Sequence, residues 1–310
     1  MNKTILVAGG TGMIGSALAE HLLKNDHEVI ILTRNPRKAI QQSKLGAKVS
    51  YAFWDIKKQQ IDTHAITKAD AIVHLAGAGV VDRSWTKAYK KEILESRTMS
   101  SALLVKALRE NVNHVSSVIS QSAIGWYGPD TITGHAFTED EPAAIGFLGE
   151  TCLAWEKSIH PVEDLGKRLV IFRTGIVLSK KAGALAEFKK PLQFRVAAVL
   201  SDGSQIVSWI HLEDLCRLFA YAITHDSMSG VYNAVSPQPV SNKELTLQLA
   251  NAMHGNRFVT AYVPAFVLKI MLGGRSMEVL KSATVCADKL LSAGFQFQYP
   301  GIEMALKNLV

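Results

Sequence analysis

The stretch "TILVAGGTGMIGSALAEHLLKND", residues 4–26, decides the fold. It opens with a short apolar run rich in branched residues, "TILVAG" (4–9), which reads as a strand buried on both faces. It then passes through Gly9, Gly12 and Gly15 at G-x-x-G-x-x-G spacing. It ends in "MIGSALAEHLLKND" (13–26), whose apolar residues recur at helical spacing. Glycines between a buried strand and a helix permit a tight turn, close approach to a pyrophosphate, and packing of helix on sheet. The backbone of Gly9, Gly10, Thr11, Gly12, Met13, Ile14 and Gly15 is therefore the expected phosphate cradle, facing the free N–H groups of a helix N-terminus. A plain strand–helix turn without ligand is the alternative.

Strand-like runs follow at "EVIILT" (28–33), "AKVSYAFW" (47–54), "AIVHLAG" (71–77), "VSSVIS" (115–120) and "RLVIFRTG" (168–175). Helical patterns separate them, the longest being "WTKAYKKEILESRTMSSALLVKALREN", and another covers about 148–164. This alternation predicts an α/β chain with a Rossmann-type, doubly wound parallel sheet. Beyond residue 175 the regularity weakens. "IVSWIHLEDLCRLFAYAI" reads as a strand entering a capped helix, and "GVYNAVSP" as a strand. Ser241 followed by Glu244 marks a helix start, and 262–310 reads as mostly helical. The expected division is a dinucleotide-binding domain over 1–175 and a smaller substrate-side lobe over 176–310, partly threading back to the main sheet.

The 310 residues are 48% apolar and 20% charged, a globular composition, and carry a formal charge of +7. That charge is dispersed, and no Lys/Arg stripe interleaved with aromatics points to nucleic acid. Cys152, Cys216 and Cys286 are odd in number and far apart, so neither a disulfide framework nor zinc is expected, and a reducing cytoplasm fits. The glycines break the N-terminal apolar run, which argues against a signal peptide. No stretch is long enough to span a membrane; "YVPAFVLKIMLGG" is short and contains Lys269.

The end of the second strand selects the cofactor. NAD sites place an acid there for the ribose 2′-hydroxyl. Here "LTRNPRK" offers Thr33, Arg34 and Arg37, a hydroxyl and two guanidinium groups suited to a 2′-phosphate. The expected cofactor is NADP(H). A solvated strand end is the other reading of Arg34.

"VAGGTGMIG", "HLAGAG", "SAIGWYG", "FRTGIVLS", "WIHLEDL" and "GVYNAVSP", in this order, resemble the extended short-chain dehydrogenase/reductase superfamily, which includes sugar-nucleotide epimerases and dehydratases. "RSWTKAYKKEILESRTMSSALL" and "LLSAGFQFQYPGIEMALKNL" look like its atypical, epimerase-like branch, some members of which are labelled cell-division inhibitors. The resemblance implies that Thr33 and Arg34 hold the adenosine phosphate. It also implies that Leu75, Ala76 and Gly77 pass close to the cofactor, that Asp55 approaches the adenine, and that Glu92, Arg97 and Ile176 border the nicotinamide half. A small-molecule substrate is implied, and relatives pair into homodimers near the helices at 86–110 and 150–164.

The superfamily's hydride chemistry uses a Ser/Thr, a Tyr and a Lys, the Lys holding the ribose and lowering the Tyr pKa. Ser122 occupies the Ser place. The Tyr and Lys places fall on Leu148 and Cys152, with Glu156 one turn on. Leu donates no proton, and a thiol supplies no positive charge. Two readings follow: an oxidoreductase or epimerase with a relocated proton donor, Tyr127 first and Glu150 or His211 next; or an NADPH-binding sensor with little or no turnover. Asp214 is expected to anchor the helix that follows it. In the lobe, Lys189, Lys190 and Arg195 suit either a diphosphate or a solvated surface. Trp85, Trp126 and Trp209 suit either a pocket or the core.

Overall fold

The computed structural model describes residues 2–43, 45, 48–132, 134–180 and 182–310. The first half runs β1 (Thr4–Ala8), α1 (Met13–Lys24), β2 (Glu28–Thr33), α2 (Pro36–Gln42), β3 (Val49–Asp55), β4 (Gln60–Ile61), α3 (Thr63–Lys68), β5 (Ala71–His74), α4 (Lys87–Glu110), β6 (Ser117–Ala123), α5 (Phe147–Ile159) and β7 (Arg168–Thr174). Then come β8 (Ile176–Leu178), α6 (Ala184–Leu192), β9 (Val196–Leu200), β10 (Ile206–Val207), β11 (Trp209–His211), α7 (Leu212–Thr224), β12 (Gly230–Ala234), β13 (Val240–Ser241), α8 (Asn242–His254), β14 (Val259–Val263), α9 (Ala265–Leu272), α10 (Ser276–Leu280), α11 (Asp288–Ser292) and α12 (Ile302–Leu309).

Eight strands form one sheet in the order β12-β7-β6-β5-β1-β2-β3-β4, parallel except where β4 turns back on β3. The order reverses between β1 and β5, and that switch point opens a crevice at the strand ends. Strand alternation divides the core. Ile5 and Val7 face α1 and α7 with Leu18, Leu22 and Phe219, whereas Leu6 and Ala8 face α3 and α4 with Ile66 and Leu104. A separate apolar cluster joins β8, α6, α8 and α12 around Trp209.

The expected Rossmann-type sheet is present, and the structure adds detail to its outer parts. The helix predicted to about 164 ends as α5 at Ile159 and continues as a 3₁₀ turn over His160–Leu165. The third strand runs Val49–Asp55; Ala47, at the start of the predicted run, lies outside the described residues. Ser241 accepts from the Glu244 N–H at 3.1 Å and caps α8. The C-terminal stretch is less helical than expected, because 281–287 carries no helix and holds only a bridge between Phe137 and Val285. Strand β12 and helix α7, both after residue 175, complete the main sheet and its cover.

His74 ends β5 fully buried, its Nε2 atom 3.1 Å from Ser101 Oγ and 3.2 Å from Ser100 Oγ on α4. Burial, and then the charge of Arg97, lower its pKa from 6.5 to about 3. The unfolded chain takes up this proton near 6.5 and the folded chain only near 3, so His74 withdraws stability as pH falls through that window. Thermal unfolding followed from pH 7 to pH 3 should show this loss, and His74→Gln should flatten the slope. In the same core, Phe219 of α7 meets Phe172 of β7 edge-on at 5.2 Å, both fully buried. Phe219→Ala should cost about 3–5 kcal/mol in denaturant unfolding.

Candidate functional site at the strand ends

The glycine loop leaves β1 and presses on the segment after β5. Gly9 has φ +86°, and a Cβ there would lie 2.8 Å from the Leu75 carbonyl carbon and 3.0 Å from the Ala76 nitrogen. A Cβ on Gly15 would fall 2.3 Å from the Gly9 oxygen, so only glycine lets α1 seat on its own loop. Gly12 is the N-cap of α1 and offers no side-chain acceptor, and the first turn carries no acid. The N–H groups of Met13, Ile14 and Gly15 thus start a helix whose positive end is not neutralised from within.

At the end of β2, Thr33 Oγ1 accepts from the Asn35 N–H at 3.3 Å, and Asn35 caps α2. Arg34 and Arg37 are exposed, and neither forms an ion pair among the described residues. Asp55 ends β3, and its Oδ1 accepts from Lys57 and Lys58 N–H at 2.9 and 3.1 Å and orders the β3–β4 turn. A groove of about 860 Å³ starts at Gly10, Thr11 and Met13 and runs along α1 toward Tyr51 and His211. Ser122, Tyr127 and Arg34 do not line it.

On the other side of the switch point, Gly77 packs on Arg97: a Cβ there would lie 3.1 Å from Cζ. Arg97 is buried over the Trp155 ring, 4.8 Å from its centroid, and donates to the carbonyls of Ala78 and Ile93 at 2.9 Å. Burial lowers its pKa. Glu92 is half-exposed and lies 3.6 Å from Arg83. Ile176 donates its N–H to the Ser208 carbonyl and starts the β8–β11 pair.

Leu148 and Cys152 pack where the missing pair was expected, against the turn that follows β6. A Cβ on Gly125 would lie 3.4 Å from Leu148 Cβ and 3.6 Å from Cys152 Sγ. Burial and the negative charge of Glu156 push the Cys152 thiol up to about 12, against the pull of Arg97 and Lys281, so it stays neutral.

Behind this turn lies a buried polar network. Ser122 Oγ donates to Glu156 Oε1 at 2.6 Å. Arg173 meets both Glu156 oxygens, Nε to Oε1 at 3.0 Å and NH2 to Oε2 at 3.1 Å. Its NH1 donates to Tyr127 OH at 3.1 Å and to the Glu139 carbonyl at 3.0 Å, and its guanidinium lies 3.6 Å over the Trp126 ring. Tyr127 OH donates to Asn233 Oδ1 at 2.6 Å. Burial raises the Tyr127 pKa to about 12 even though Arg173 opposes the shift. Burial alone would lower the Arg173 pKa, but its bonds and charge pairing with Glu156 hold it higher than usual. Ser122 is 0% exposed and Tyr127 1%, so both hydroxyls are enclosed.

Arg173 and Asn233 escaped the sequence reading, although a charge inside the apolar run "LVIFRTG" was the available signal. Glu150 reaches back to the Gly146 N–H at the start of α5. His211 Nδ1 accepts from the Glu213 N–H and caps α7, and its ring stacks on Tyr299. Asp214 accepts from Arg217 and from the N–H groups of Gln298 and Tyr299, and anchors the C-terminal segment on α7.

A glycine cradle at the β1–β5 switch point of a parallel, doubly wound sheet defines a Rossmann-type nucleotide fold. Comparison with known proteins narrows the class: the chain belongs to the NAD dependent epimerase/dehydratase family, whose model matches residues 5–234. A second model, described as a domain of unknown function, matches residues 263–309. An epimerase family protein of Staphylococcus aureus is 33% identical over 309 residues, 99% of each chain. One of Mycobacterium leprae is 35% identical over 304 residues, 97% of this chain and 94% of that one. Among solved structures, human epimerase family protein SDR39U1 (isoform 2) with NADPH superposes with a TM-score of 0.84 at 26% identity, over 99% and 98% of the two chains. UDP-glucuronic acid 4-epimerase of Bacillus cereus shares the fold, with a TM-score of 0.78 at 20% identity over 98% and 96%. No helix among the described residues is long and apolar enough to cross a membrane.

Removing one member of a buried ion pair strands the other charge. Glu156→Leu should therefore cost about 3–5 kcal/mol in denaturant unfolding. The double variant Glu156→Leu with Arg173→Met should recover part of that loss, because neither charge then remains buried alone.

Proposed function

We propose that the chain binds NADP(H) and acts as an oxidoreductase or epimerase on a small carbonyl or sugar-nucleotide-like substrate, without a Tyr-x-x-x-Lys pair. The observation that carries the cofactor reading is the end of β2, where Arg34 and Arg37 stand exposed and no carboxylate follows Thr33. Two guanidinium groups favour a 2′-phosphate, which an acid would repel. The residues fit a dinucleotide: the glycine cradle that a Cβ would fill and the uncapped start of α1 accommodate the pyrophosphate. The human relative crystallised with NADPH supports the same reading.

When bound, the cofactor supplies hydride exchange at its nicotinamide. The residues of this chain then have separable tasks. Gly9–Gly15 hold the pyrophosphate, and Arg34 and Arg37 hold the 2′-phosphate. Leu75, Ala76 and Gly77 provide a flat wall. Arg97 braces that wall from beneath through the Ala78 carbonyl. Ser122 and Tyr127 belong to the enclosed network around Arg173, and we assign them to positioning the turn 123–127 in place of the proton-donor role expected for Tyr127.

That enclosure favours a second reading, an NADPH-bound sensor with little turnover. The two readings separate in one assay. NADPH oxidation is followed with a panel of carbonyl compounds and nucleotide sugars; turnover with any member supports the enzyme, and tight NADPH binding without turnover supports the sensor. For the cofactor, titration should show NADPH bound more tightly than NADH. Arg34→Asp should weaken NADPH by about tenfold or more and leave NADH nearly unchanged. Wild-type preference for NADH would refute the NADP(H) assignment.

A further inference from the structure

The segment 281–285 leaves α10 and runs back over the turn that follows β6, where it is clamped on both edges. Asp130 donates its N–H to the Ser282 carbonyl at 2.9 Å. Its carboxylate accepts from the Thr284 N–H and from the hydroxyls of Ser282 and Thr284, each at 2.8 Å. On the opposite edge, Ser208 Oγ donates to the Ala283 carbonyl at 2.8 Å and accepts from the Val285 N–H at 3.0 Å. So firm a clamp fixes the residue that enters it, Lys281.

The Lys281 side chain is 13% exposed. Its ammonium lies 3.2 Å from the Tyr127 carbonyl and 3.1 Å from Glu278 Oε2. The same turn holds Cys152 at its beginning, Sγ 3.7 Å from the Ala123 carbonyl. Residues 123–127 thus carry Cys152 at one end and the Lys281 ammonium at the other. Arg97 is the other cation near Cys152, but its NH1 is already tied to Ala78 and Ile93. An ammonium has three N–H groups. Lys281 has two contacts among the described residues.

Strand order says what lies here. With the pyrophosphate at the β1–β5 switch point and the adenosine over β2, the nicotinamide half extends over the ends of β5, β6 and β7. The turn 123–127 follows β6 and lies on that side.

Resting on the dinucleotide reading, we propose that Lys281 is a cofactor-binding residue. Its ammonium donates to the hydroxyls of the nicotinamide-side ribose, in place of a lysine that α5 lacks at Cys152. The C-terminal segment therefore supplies the cation that α5 lacks at Cys152.

The test compares NADPH with adenosine 2′,5′-bisphosphate, which keeps the adenosine half and has no nicotinamide ribose. Both are titrated by calorimetry into the full chain and its variants. Lys281→Met should weaken NADPH by about tenfold and change the bisphosphate by less than about twofold. Lys281→Arg, which keeps a donor cation, should restore most of the NADPH affinity. Unchanged NADPH affinity in Lys281→Met, equal loss of both ligands, or an arginine variant no better than the methionine variant would each overturn the proposal. If the wild type binds neither ligand, the dinucleotide reading itself falls and takes the role of Lys281 with it.

Discussion

The buried pairing of Arg173 with Glu156 is the constraint around which the strand-end site of this molecule is arranged. A guanidinium and a carboxylate at 3% and 5% side-chain exposure are held only because almost every polar atom around them is matched. Arg173 comes from β7, Glu156 from α5, Ser122 from β6, Asn233 from β12 and Tyr127 from the turn between β6 and α5. One ion pair therefore sets the separation of three neighbouring strands and the helix above them. It also makes Trp126 and Tyr127 the lid of the network, with Tyr127 stacked on Phe137 at 5.1 Å.

This arrangement resolves the apparent contradiction between a family fold and a missing catalytic pair. Leu148 and Cys152 form an apolar contact between α5 and the turn, where a proton donor and a cation were expected. The adjoining hydroxyls, Ser122 and Tyr127, face inward to Arg173 and its partners. Positive charge reaches the region from elsewhere, from Arg97 beneath the β5 loop and Lys281 on the clamped C-terminal segment. The electrostatic balance of the site is thus carried by residues far apart in the chain.

Much of the fold was legible in the sequence because its signals are local. A buried strand, a glycine turn and an amphipathic helix are each specified within a dozen residues, and Ser241 with Glu244 announced α8. The glycine loop was legible for the same reason, since its requirement for missing Cβ atoms is a property of adjacent backbone. The site behind β6 was legible only in part. Ser122 and Tyr127 were visible as hydroxyls in a suggestive motif, but the direction of a hydroxyl depends on what surrounds it. Asp55 reads alone as a candidate adenine contact and in the structure orders its own turn.

The sequence by itself determined the doubly wound sheet, the glycine turn between β1 and α1 and the arginine-rich end of β2, because each follows from the spacing of neighbouring residues and from side-chain charge. Tertiary structure decided the rest. It turned Ser122 toward Glu156 and Tyr127 toward Arg173, paired Arg173 with Glu156, and brought Lys281 to the Tyr127 carbonyl across 154 residues of chain. These pairings depend on desolvation and on strand order, which place distant charges together in a low-dielectric interior where an unmatched one would be too costly to keep.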